Sequence, residues 1–169
     1  MAELIDYRRP TDADHDAVVQ RIDDWAGGRN VRRLVARLWF RDFTSTSWVA
    51  TREDGRLVGV AIGFMSQDDP AQAMLHLVAV DPRFRHRGIG SELVARFAGD
   101  ARERRARTLR TTAPADDRPT IRFLETMGFQ LIDPPGGQHL YGMPAVADYD
   151  APGDDRAELE RSLDAPEGG

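Results

Sequence analysis

Residues 85 to 90, Arg85-His86-Arg87-Gly88-Ile89-Gly90, combine three basic side chains with two glycines spaced by one residue. Leu93, Val94, Phe97, Ala98 and Ala101 follow at helical spacing, so the glycines stand at a helix start. A helix N-terminus presents unpaired N–H groups and about half a positive charge, and glycine lets an anion come close to that backbone. The stretch therefore reads as a cradle for a pyrophosphate. From Asp81 to Arg110 nine arginines face four acids, a local balance of +5 that adds attraction at longer range. A solvated basic helix would account for the arginines but not for two glycines in its first turn.

Elimination narrows the phosphate ligand. A dinucleotide fingerprint needs G-x-G-x-x-G, but position 93 is Leu, and the motif follows three strands instead of the first. A P-loop needs lysine, and all 23 basic residues are arginine, which also removes lysine Schiff-base chemistry. The arginines suit nucleic acid, yet there is no recognised binding module and the face lacks aromatic rings for base stacking, so no nucleic-acid partner is expected. Zero cysteines exclude disulfides, thiolate metal sites and a cysteine nucleophile, and no metal is expected. No apolar stretch approaches the roughly 20 residues of a membrane span, so no membrane partner is expected either. No apolar run follows "MAELIDYRRP" as a secretory signal would require, which makes the cytoplasm the expected location.

The surrounding elements must hold this cradle in place. At 169 residues and 41% hydrophobic, the chain is long enough for one packed domain. "LIDYR" reads as a first strand. Thr11 can cap a helix with Val18, Ile22 and Trp25 on one stripe, stopped by Gly27-Gly28. Asn30 can cap a second helix carrying Val31, Leu34, Val35 and Leu38. "SWVATRE" and "RLVGVAIGFM" are strands joined at Asp54-Gly55, a hairpin signal, and "AMLHLVAV" is a third. After the glycine-led helix come a strand "TLRTTAP", a helix "TIRFLETM" stopped by Gly128, and strands "FQLID" and "HLYGM". The order βααβββαβαββ predicts an α/β fold whose central sheet is mixed but mostly antiparallel, with helices on both faces.

Net charge is −5, with eight acids and two arginines of it in residues 147–169. That segment is rich in Asp, Glu, Pro and Gly. It reads as an acidic, flexible tail to a domain over 1–146, with "DDRAELERSL" able to form a short exposed helix. Its deletion is expected to be neutral.

"VAVDPRFRHRGIGSELV" resembles the acetyl-CoA signature of the GCN5-related N-acetyltransferases (GNAT superfamily), Arg or Gln followed by x-x-Gly-x-Gly or Ala, met here by Arg85, Gly88 and Gly90. "TIRFLETMGF" is similar to that family's fourth helix with its closing Gly-Phe, here Gly128 and Phe129, and the order of elements agrees over about residues 3 to 144. The resemblance implies an acetyl-CoA-dependent N-acetyltransferase acting by direct attack in a ternary complex. The acceptor is a primary amine of a small molecule or a protein, and the chain a monomer or homodimer. A catalytically weakened CoA-binding regulatory module on the same fold is the alternative.

For the cofactor the resemblance implies pantetheine beside the fourth strand at Val78, Ala79 and Val80. It also implies pyrophosphate on the amides of His86, Arg87, Gly88, Ile89, Gly90 and Ser91 next to Arg85, with Asp117, Thr120 and Phe123 completing the set. Asp117 stands where the family commonly has Asn, and a carboxylate can accept from pantetheine N–H but cannot donate to its carbonyl.

An alkylamine with a pKa near 10 must lose a proton before it attacks. His76 is the candidate base: on a regular strand residues 74, 76, 78 and 80 share a face, and the position matches a basic histidine of arylalkylamine N-acetyltransferases. A satisfied core histidine, with water as the base, is the competing reading. The family's tyrosine acid is replaced by Leu124, and Tyr141 is a substitute candidate. Asp24 could attract the acceptor ammonium with Trp25 covering it, or Trp25 could be core and the aspartate solvated.

Overall fold

The computed structural model describes residues 3–164. They form an α/β protein in which seven strands make a mixed sheet flanked by helices, as expected. The chain divides into two compact units, residues 1–65 with 75–104 and residues 66–74 with 105–169. Among the described residues no helix is long and apolar enough to cross a membrane.

In the first unit β1 (Ile5–Arg8), β2 (Trp48–Arg52) and β3 (Leu57–Met65) pair antiparallel in sequence order, and β4 (Gln72–Val80), of which residues 75–80 belong to this unit, is next to β3 in the sheet. The Asp54-Gly55 turn is where the sequence puts it, with Gly55 at φ 80° and the Asp54 carboxylate accepting from the Arg56 amide at 3.0 Å. One face packs on the long helix α3 (Ile89–Glu103), through Leu93, Val94, Phe97, Ala98 and Ala101, all essentially inaccessible. Gly63 permits that contact, since a Cβ there would lie 2.2 Å from the Phe97 ring.

The other face carries Val18, Ile22, Trp25, Val35 and Phe40 packed with Val49, Val60 and Ile62. The expected stripe of Val18, Ile22 and Trp25 is buried, but the helix bearing it is broken into α1 (Asp14–Val19) and α2 (Ile22–Trp25). Thr11 does not cap α1 with its side chain; Asp14 reaches back to accept from the Thr11 amide at 2.7 Å and pairs with Arg8. The second expected helix is instead two 3-10 turns, Arg32–Leu34 and Arg37–Phe40, with Leu38 44% exposed. Asp23, not Asn30, organises its start by accepting from the amides of Val31 and Arg32 at 3.0 and 2.9 Å.

Asp100 of α3, 5% exposed, fastens the helix to the sheet. It takes both Arg9 guanidinium N–H groups at 2.6 and 2.7 Å and the Trp48 indole N–H at 2.7 Å, and Arg9 lies 3.9 Å above the Trp48 ring. Asp100→Ala leaves the indole N–H without its acceptor and the Arg9 guanidinium with the Ser47 carbonyl alone at 3.3 Å, a loss of about 2 to 4 kcal/mol. Thermal melting followed by circular dichroism should show a fall of roughly 5–12 °C; an unchanged midpoint would mean the network contributes nothing.

The second unit corrects the expectation for the tail. Here β5 (Thr108–Pro114), β9 (Arg156–Ser162) and the short β6 (Gln130–Leu131) are adjacent in that order, with α4 (Arg118–Thr126) and a separate hairpin of β7 (Gln138–Leu140) and β8 (Met143–Ala145). "HLYGM" is thus not one strand but two, turned at Tyr141-Gly142 with φ 52° and 81°. The segment expected as an exposed helix is β9, paired antiparallel with β5 over seven residues and with β6 on its other side. Ala157 and Leu159 are fully buried, and Glu160 sits opposite Arg110 with a 3.1 Å ion pair. Alternating burial and a cross-strand charge pair outweigh the helix propensity of Glu, Leu and Arg. Residues 165–169 of the expected tail lie outside the described residues.

Truncation after residue 146 therefore leaves β5 and β6 without their common neighbour. The lost side-chain burial and ladder bonds amount to several kcal/mol, a large share of a domain's stability. The truncated protein should be insoluble or melt far below the full chain; an unaltered melting curve would refute this.

Candidate active site

β4 is followed by Asp81, whose carboxylate accepts from the Arg83 amide at 3.0 Å and pairs with its guanidinium at 2.7 Å. The hydrogen bond from the Arg83 guanidinium holds the Asp81 carboxyl below the usual carboxylate range. A 3-10 turn, Pro82–Phe84, tucks Phe84 inward, and Arg85 then donates to the Trp25 carbonyl at the end of α2. The arginine of the signature is thus a tether for the loop. Arg87 lies 4.9 Å over the Phe84 ring.

The backbone next enters the left-handed region twice, at His86 (φ 60°) and at Gly88 (φ 79°), which precedes the first turn of α3. Such alternation turns successive N–H groups toward one concavity, a geometry that binds anions. Among the described residues nothing accepts from the amides of His86 through Ser91. A Cβ on Gly88 would meet nothing within 4 Å, so the conformation and not crowding calls for glycine there. The 15-residue helix adds its positive end to the same spot. Orphan donors, dipole and open space fit a pyrophosphate.

Val78, Ala79 and Val80 on β4 are half-buried, with Ala79 packed on the core cluster of the first unit. Four residues back, the His76 ring is held between its Nε2 atom, 2.8 Å from the Leu34 carbonyl, and the Trp39 ring at 4.5 Å. A carbonyl only accepts, so Nε2 carries a proton and the neutral imidazole has its lone pair on Nδ1. Leu77 and Trp39 both pack on the core cluster that α1 and α2 cover. Trp39, Phe43 and Phe64 form a half-buried group of rings beside His76, with no motif or periodicity in the sequence to mark it.

Trp25 is 3% exposed and belongs to the core, so it does not cover a bound ammonium. Asp24 is exposed beside it.

The remaining candidates lie in the second unit. The Asp117 carboxylate caps α4, accepting from the Thr120 amide at 3.3 Å and from its hydroxyl at 2.8 Å, so D-x-x-T serves the helix. Phe123 is half-buried on α4, and Leu124 is 1% exposed. Tyr141 is 55% exposed, and its hydroxyl donates to Asp155 at 3.2 Å. That carboxylate raises the phenol's pKa, which makes Tyr141 a weaker proton donor than an ordinary tyrosine.

The acetyltransferase (GNAT) family's sequence model matches residues 10–129. The chain is 32% identical over 121 residues to an L-2,4-diaminobutyric acid acetyltransferase of Nocardia farcinica, covering 69% of this chain and 60% of that one. It is 37% identical over 99 residues to an enzyme of the same name from Streptomyces coelicolor, covering 56% and 58%. The chain thus spans about 60% of the length of the curated relatives it matches. Among solved structures, Ard1 from Thermoplasma volcanium superposes with a TM-score of 0.77 at 23% identity, covering 94% of this chain and 97% of that one. A diaminobutyrate acetyltransferase from Paenibacillus lautus, in complex with L-2,4-diaminobutyric acid and coenzyme A, gives 0.75 at 20%, covering 99% and 100%. At these identities the likeness is one of fold.

Proposed function

Because the chain belongs to the acetyltransferase (GNAT) family, which spans 10–129 of its residues, we propose that it is an N-acetyltransferase moving an acetyl group from acetyl-CoA to a primary amine of a small molecule, in the cytoplasm. The single observation that carries this reading is the left-handed turn at His86 and Gly88 with its row of amides lacking acceptors at the start of α3. The curated relatives' name makes 2,4-diaminobutyrate the first acceptor to try.

The amides of His86 to Ser91 hold the pyrophosphate, and Arg85 keeps the loop in position through Trp25. Val78, Ala79 and Val80 offer the pantetheine an extended backbone to pair with. Asp117 and Thr120 fix the start of α4 beneath Phe123. When bound, acetyl-CoA supplies a thioester carbonyl open to attack by an amine. His76 takes the proton that the attacking ammonium must lose, directly or through one water, while the Leu34 carbonyl keeps the ring oriented. Amide formation makes the C–N bond and breaks the C–S bond. A thiol of pKa about 8.5 leaves tolerably as thiolate, so neither Leu124 nor the weak donor Tyr141 has to be an efficient acid. Asp24, exposed near the end of α2, adds attraction for a cationic acceptor.

The test is thiol release from acetyl-CoA over a panel of amines headed by 2,4-diaminobutyrate, with mass spectrometry of the product. Amine-dependent thiol release with a 42 Da gain on the acceptor (one acetyl for one hydrogen, about 42 by mass) is expected; CoA binding without turnover on any amine would count against the reading.

A further inference from the structure

A recess of about 90 Å³ lies against the loop that leads into the amide cradle, lined from that side by Asp81, Arg83 and Phe84. Three further arginines line it from elsewhere in the first unit: Arg21 between α1 and α2, Arg52 at the end of β2, and Arg56 after the Asp54-Gly55 turn. The space is several times the roughly 10–15 Å³ that one water needs, enough for a tetrahedral oxyanion.

Arg83 and Arg52 are already committed. The Arg83 guanidinium forks onto Asp81 at 3.1 and 2.7 Å, and Arg52 pairs with Glu3 and reaches Asp54 at 3.5 Å. Arg21 and Arg56 are not. Among the described residues Arg21 makes no ion pair, its guanidinium donating to the Leu57 carbonyl alone at 3.3 Å. The one ion pair of Arg56 is a 3.7 Å contact with Asp54, longer than a hydrogen bond. The acid in the lining, Asp81, is 3% exposed with both oxygens taken by Arg83, so its charge is already balanced. Guanidinium N–H groups lacking acceptors beside an open space suit a phosphate, which offers several oxygens and a double charge.

We propose that this recess binds a phosphate dianion through Arg21 and Arg56, at a site separate from the amide cradle. The occupant is either free phosphate or the 3′-phosphate of CoA. The first form stands apart from the acetyltransferase reading, and the second rests on it. Arg21 joins two helices, Arg56 follows a turn and Arg83 sits in the 3-10 turn before the cradle, so a bound dianion braces the base of the cofactor loop.

Inorganic phosphate also fits the amide cradle, so its binding is measured by calorimetry at constant ionic strength in a Gly90→Glu background, where a carboxylate stands in the cradle. Adding Arg21→Gln or Arg56→Gln should weaken binding by about 10-fold or more, as loss of a charge-assisted hydrogen bond does. Arg41→Gln removes the same charge from an exposed position outside the recess and should leave the affinity unaltered. Arg56 is exposed and keeps the readout if Arg21→Gln fails to fold. With Gly90 in place, CoA and dephospho-CoA are then compared. A preference for CoA of about 10-fold or more, lost in Arg56→Gln, assigns the recess to the 3′-phosphate; equal affinities together with phosphate binding assign it to free phosphate. If neither CoA compound binds, the acetyltransferase reading falls and the phosphate titration still reads the recess. The proposal is overturned if Arg21→Gln and Arg56→Gln weaken phosphate no more than Arg41→Gln does. It is equally overturned if phosphate fails to bind and the CoA preference is absent or survives Arg56→Gln.

Discussion

Gly90→Glu should abolish measurable acetyl-CoA binding, a loss of at least about 100-fold, and leave the melting temperature unchanged or slightly raised. Gly90 is the second residue of α3, in the turn whose amides have no acceptor among the described residues. A carboxylate there places negative charge and bulk where the pyrophosphate must approach. The same carboxylate is favourable to the helix: an acid in the first turn complements the dipole, and replacing a helical glycine gains roughly 0.5–1 kcal/mol. Binding and stability are thus pushed in opposite directions, which separates this substitution from one that merely unfolds the loop. Calorimetry with acetyl-CoA and with a pantetheine lacking its pyrophosphate, run on both proteins, checks it. If the wild type binds the two compounds equally well, or the variant retains acetyl-CoA affinity, the cradle is not the phosphate site.

That cradle was legible because its signal is local. Two glycines, a preceding Asp81-Pro82 and a periodic apolar run specify turn and helix without help from the rest of the chain. The misread parts depend on partners distant in sequence. "DDRAELERSL" has helix-forming residues, and only the neighbouring β5 and β6, with Arg110 across from Glu160, make it a strand. Local spacing can also carry two readings: the Asp117 and Thr120 pattern that suggests a cofactor contact makes a helix cap. Trp25 offered two readings, and burial on the α2 stripe decided for the core. Trp39, Phe43 and Phe64 come from a 3-10 turn, the residues after it and β3, so no periodicity could announce that their rings meet.

His76 divides the catalytic from the architectural reading most sharply, because one ring carries both. Nε2 ties β4 to the 3-10 turn that ends at Leu34, and the other nitrogen carries the lone pair. His76→Ala removes tie and base together and cannot tell them apart alone. His76→Gln separates them: its amide N–H₂ can donate to the Leu34 carbonyl, but it accepts no proton near neutral pH. If His76 is the base, both variants should lose about 10²- to 10⁴-fold in kcat with near-normal acetyl-CoA affinity. Both should also lose the limb of the pH–rate profile that rises across the range in which imidazoles give up their proton. Only the alanine variant should melt lower. A purely architectural histidine predicts the reverse pattern, with glutamine restoring stability and turnover together and the pH limb intact in whatever activity the alanine variant keeps. Melting curves and pH–rate profiles on the three proteins decide between them, and an intact limb in His76→Gln would transfer the base to ordered water or to Asp24.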